Sequence, residues 1–114
     1  MSGVRLLNTD EPIFKLAEIA SQAHARIQSD YAKLDPVIGI GRSMRQSGIP
    51  ADAMTIDCLK SGKRIIIILH DEQPDILRYQ FSYKESDPGS EFTVISTKEV
   101  SAQTLYDWMA GYLA

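Results

Sequence analysis

The chain has one cysteine, Cys58, and two histidines, His24 and His70. A lone thiol forbids an internal disulfide and suits a reducing compartment. One thiol and two scattered imidazoles supply no tetrahedral zinc set, so no metal site is expected. Basic residues are also in the minority: twelve Lys and Arg against fifteen Asp and Glu give a formal net charge of -3. That sign opposes the field that attracts phosphate backbones, and nucleic acid is not an expected partner. Long apolar runs are missing as well. The longest, Ile65 to Leu69, falls far short of the roughly 20 residues that cross a bilayer. Met1 to Asn8 lacks the apolar stretch of a secretory leader. No membrane association is expected, and a cytoplasmic location follows as the default.

What is present is an ordinary globular composition, 44% hydrophobic and 24% charged over 114 residues. This is the scale of a single domain, 1–114, with one core. Asp10 as cap and Pro12 in the first turn open a helix. Phe14, Ala17, His24, Ile27, Tyr31 and Leu34 recur along it at helical spacing, and Ile13, Leu16, Ala20 and Ala23 widen the apolar face. Asp35 before Pro36 stops it near Lys33. The same Asp35-Pro36 pair opens a second helix with Val37, Ile40, Gly41 and Met44 on one face. Gly48, Ile49 and Pro50 end it, while Gly39 and Gly41 each cost such a helix about 1 kcal/mol.

From Ala53 the period changes to two. Met54, Ile56 and Cys58 alternate with Thr55, Asp57 and Leu59, Ser61-Gly62 makes a tight turn, and Lys63 to His70 forms the strongest strand. Leu77, Tyr79, Phe81 and Tyr83 alternate in a third strand, and Glu91 to Thr97 is a fourth. Ser101 caps a final helix with Leu105, Trp108, Met109, Tyr112 and Leu113 on its apolar stripe. The predicted class is therefore α+β: helix, helix, four-stranded antiparallel meander, C-terminal helix.

A two-residue turn at Ser61-Gly62 pairs Cys58 with Ile65, Ile56 with Ile67 and Met54 with Leu69. Leu77, Tyr79 and Phe81 then lie beside Leu69, Ile67 and Ile65, and Phe92 and Val94 join this core face. The opposite face carries Ile66, Ile68, Ile76 and Ile95 among polar residues, more apolar surface than a solvated sheet face needs. It is either a partner-binding or self-association surface, or the place where the N-terminal helices pack.

Chemistry-bearing groups give no catalytic constellation. The hairpin holds Cys58 and His70 roughly 16 Å apart on opposite faces, too far for a thiol and its base. His24 reads as a packed helix residue, and His70-Asp71-Glu72 as a polar turn. Gly39-Ile40-Gly41-Arg42-Ser43 lacks the spacing of a P-loop or a dinucleotide fingerprint. No catalytic residue and no cofactor follow, and the balance leans away from an enzyme. The leading expectation is a non-enzymatic protein-interaction module, binding a protein partner or itself as a homodimer through Ile66, Ile68, Ile76 and Ile95. The alternative is a small-ligand or anion-binding domain using Arg42 and Arg45 with Lys63 and Arg64 of the Lys60–Arg64 turn.

Overall fold

Pro12 starts helix α1 (Pro12–Asp30), and the Glu11 carbonyl accepts from the amides of Phe14 and Lys15. The computed structural model describes residues 11–87 and 89–114, so the expected cap Asp10 lies outside the described residues. Ile13, Leu16, Ala20, Ala23 and Ile27 form the buried row of α1. Phe14 and Ala17 flank that row, half-buried. The helix ends at Asp30 rather than near Lys33, where Tyr31 leaves the helical region and Leu34 turns down into the core.

The expected second helix is replaced by a strand, β1 (Val37–Gly41), and a single helical turn, α2 (Ser43–Gln46). β-Branched Val37, Ile38 and Ile40 with two glycines favour extended backbone over helix. The stop at Gly48 and Ile49 is present at the end of α2: Gly48 has φ +90, its amide bonds to Arg45 O, and the Ile49 amide bonds to Met44 O. That is the paired Schellman arrangement, with Ile49 as its apolar residue beyond the glycine.

Among the described residues the sheet has five strands, not four. β1, β2 (Ala51–Asp57), β3 (Lys63–His70), β4 (Ile76–Tyr83) and β5 (Thr93–Ser96) pair antiparallel in chain order. Ile56 pairs with Ile65 and Met54 with Ile67, a shift of two residues from the expected register. The β2–β3 turn is longer than two residues: the Cys58 amide bonds to Lys63 O, and Gly62 sits at φ +77. A two-residue shift preserves which face each side chain takes. β3 and β4 pair as expected, Ile67 with Tyr79 and Ile65 with Phe81. In β5 the faces are reversed. Leu77 pairs with Ile95 and Arg78 with Val94, so Ile95 packs towards the core and Val94 is exposed.

Both long helices lie on one face of the sheet. Ile13, Ala20 and Ile27 of α1 join Met54, Ile56, Ile65, Ile67 and Leu77 in one buried cluster with Leu105, Met109 and Leu113. Each such buried Ile, Leu or Met side chain contributes about 1.5–3 kcal/mol. Helix α3 (Ala102–Trp108) begins in a capping box, the Ser101 side chain accepting from the Thr104 amide while Thr104 Oγ1 accepts from the Ser101 amide. It runs into a wider turn over Met109–Leu113. Trp108 and Tyr112 stack on Tyr79 and Phe81 of β4, with centroids 4.2 and 4.9 Å apart. Tyr106 stands on the Arg26 guanidinium and donates to Asp30, joining α3 to α1. Among the described residues no helix is long and apolar enough to cross a membrane.

Candidate functional site

With both helices on one side, the other face of the sheet is uncovered by any helix among the described residues. The registers set its rows. One crosses the sheet through Gly41, Ala53, Ile68, Arg78 and Val94, and the next through Gly39, Thr55, Ile66 and Gln80. Ile76 lies one row beyond, opposite Ser96. Small residues on β1 and β2 thus form a low shelf beside a ridge of isoleucine on β3. At Gly39 a Cβ atom would meet Thr55 Oγ1 at 3.2 Å, tight enough to favour glycine in this row. Ile66 is only 8% exposed although no helix covers it. Thr55 and Gln80 flank it on the neighbouring strands. Ile68 and Ile76 are half-buried, and Ile95 lies on the helix side, away from the other three.

The end of this face near the β2–β3 turn is closed by a fork-to-fork ion pair. Arg64 Nε and Nη2 donate to the two Asp57 carboxylate oxygens at 2.6 and 2.8 Å. The Asp57 hydrogen bond raises the Arg64 pKa above its ordinary value. Lys63, on the helix side, donates to Tyr112 O at 3.1 Å.

Arg42 and Arg45 are also engaged. Arg42 Nη2 lies 2.5 Å from Glu11 Oε1, and Arg42 Nε lies 3.0 Å from Asp52 Oδ1. Arg45 reaches Asp52 at 2.7 and 2.9 Å and Asp71 at 2.7 and 2.8 Å. The Arg45 hydrogen bonds push the Asp52 carboxyl below the usual carboxylate range; burial opposes this, and Arg42 adds to the lowering. Asp71 is lowered by Arg45 in the same way. The cluster ties the start of α1, α2, β2 and the β3–β4 turn together. Glu11, Asp52 and Asp71 neutralise the two guanidiniums and leave little positive field for an anion. Sequence reading missed this cluster because its members are spread from position 11 to 71 with no periodicity.

Cys58 and His70 are separated by most of the sheet: Cys58 lies beside the β2–β3 turn, whereas His70 pairs with Ala51. Burial disfavours the Cys58 thiolate, yet hydrogen bonds from the Ser61 side chain and amide and from the Lys60 amide outweigh it and lower the pKa. His24 Nε2 lies 3.3 Å from Asp35 Oδ1. Among the described residues no three His, Cys, Asp or Glu side chains are grouped to hold a metal. An apolar groove of about 460 Å³ runs past Tyr31, Leu34, Cys58 and Leu113. Its charged lining, Lys33 and Lys60, is exposed, so no buried charge fixes a ligand in it.

The last feature is the sheet edge. The Cys58 amide bonds to Lys63 O and the Asp71 amide to Pro50 O, so even-numbered residues of β2 turn their backbone groups towards β3. By alternation the odd-numbered ones face β1 and bond Val37, Gly39 and Gly41. Ile38 and Ile40 therefore point their N–H and C=O groups outward, and no strand pairs with them among the described residues. The first strand expected from sequence, now β2, is covered by β1, and the free edge moves outward by one strand.

Comparison of the chain with protein-family models, with curated proteins and with solved structures found no match.

Proposed function

We propose that the chain is a non-enzymatic interaction module that binds another protein through the helix-free side of its sheet, or itself through that face or the uncovered strand edge. The observation that carries the reading is one-sided packing. Both helices stand on one face, while the other presents half-buried Ile68 and Ile76, exposed Val94 and a shelf of glycine and alanine beside buried Ile66. Partly exposed aliphatic side chains on a sheet face gain free energy when a second surface removes them from water. The single buried thiol suits a cytoplasmic setting.

An anion-binding site built on Gly39–Arg45 and the Lys60–Arg64 turn has weaker support. Arg42, Arg45 and Arg64 are each held by carboxylates, and an anion would have to displace them.

Ile68→Asp tests the face directly, because Ile68 sits in its central row and lies outside the buried cluster. The variant is expected to keep the far-ultraviolet circular dichroism of the parent, and self-association weakened at least tenfold in analytical ultracentrifugation would put the contact between copies on this face. Unchanged association would remove the face as the contact between copies and leave the β1 edge.

A further inference from the structure

Resting on the self-association reading, we propose that the second copy joins edge to edge through β1, about a two-fold axis at Gly39, so that two five-stranded sheets become one continuous sheet. The edge is built for pairing. Ile38 and Ile40 offer outward N–H and C=O groups, and Val37 to Gly41 holds no charge and no proline. These are the devices with which exposed edges are otherwise guarded. Val37 and Ile40 are also 46% and 38% exposed, side chains that a neighbouring strand would cover.

The strand fits its own copy. A two-fold at Gly39 sets Ile38 opposite Ile40 of the second copy, and Ile40 opposite Ile38, as hydrogen-bonded pairs. Two glycines meet at the axis, where side chains would crowd most.

The helix layer permits the approach. Phe14 lies against Arg42, and His24 and Gln28 against Asp35, so α1 runs antiparallel to β1. Between these anchors its flank carries the small residues Ala17 and Ser21. The two α1 helices, each above β1 and β2, would stand about 10 Å apart, the ordinary distance of packed helices. Pairing β1 with β1 closes after two copies, whereas pairing β1 with β5 would grow an open ribbon. β5, of four residues, is also the shorter edge.

Register-specific cross-linking tests the proposal in the full-length chain, on a Cys58→Ala background. Val37→Cys and Gly41→Cys face each other across the proposed axis as a non-hydrogen-bonded pair about 4.5 Å apart, within disulfide reach. Within one chain the two positions are about 13 Å apart and cannot bridge. Val37 is exposed, and a Cβ at Gly41 meets open space, so both variants are expected to fold. After mild oxidation the double variant, and a mixture of the two single variants, should give a covalent dimer on a non-reducing gel. Either single variant alone should stay monomeric on that gel.

Ile40→Pro is the companion, since it removes an outward amide and leaves the β1–β2 bonds intact; it should abolish the dimer in light scattering. A dimer in solution without the register-specific cross-link, or equal cross-linking of the single variants, overturns edge pairing and leaves self-association standing. A parent that is monomeric at every concentration overturns both.

Discussion

Asp52→Asn probes the buried carboxylate that holds both Arg42 and Arg45. The Asp52 side chain is 4% exposed and lies against two guanidiniums at 2.7 to 3.4 Å. Asparagine keeps the shape, loses the charge and turns an amide NH2 towards guanidinium donors. Removing one partner of a buried pair costs about 3–5 kcal/mol. Arg42 and Arg45 are about one-third exposed and keep Glu11 and Asp71, so the expected loss is smaller, about 2–3 kcal/mol. For a chain of this length that lowers Tm by about 10 °C.

The same substitution has a pH signature. The folded-state pKa of Asp52 is lowered, with the Arg45 hydrogen bonds as the leading cause. A depressed carboxyl contributes stability above its unfolded value of about 3.9 and loses it as pH falls through the folded value. The gap between parent and variant should be full from pH 7 down to about 5 and shrink below about 4. Urea denaturation followed by Trp108 fluorescence, repeated across that range, measures both quantities. A loss under about 0.5 kcal/mol at pH 7, or a gap that widens on acidification, would refute the reasoning.

Two further substitutions test the packing and the cap. Ile67→Ala, at a fully buried position between Met54 and Tyr79, should cost about 3–4 kcal/mol in urea denaturation; a cost under 1 would place the centre of the core elsewhere. Ser101→Ala removes one half of the capping box at the start of α3 and should cost about 1 kcal/mol, seen as a matching drop in Tm. No change would mean that the Thr104 hydroxyl caps this helix unaided.

The sequence showed its strands wherever one face was buried. Met54, Ile56, Ile65, Ile67, Leu77 and Tyr79 alternate because the helices lie on one side of them, and the α+β class followed. β1 escaped because its burial is shallow: only Ile38 packs against the core, while Val37 and Ile40 are exposed. Without alternation, the capping signal of Asp35-Pro36 favoured a helix. The register of β2 was misjudged because Ser61-Gly62 is only the latter part of its turn, and exposed Leu59 belongs to the turn, not the strand. The reversed faces of β5 reflect its four-residue length, too short for periodicity to decide. Of the four isoleucines expected to form one surface, Ile66, Ile68 and Ile76 share it, and Ile95 belongs to the helix side. The salt-bridge cluster around Asp52 depends on contacts between distant segments, which no local pattern encodes.

Solution mass by light scattering over a dilution series tests self-association most directly. The account predicts a species of twice 12.7 kDa that persists to low micromolar concentration and falls to the monomer only on further dilution. A mass of 12.7 kDa at every concentration would contradict it.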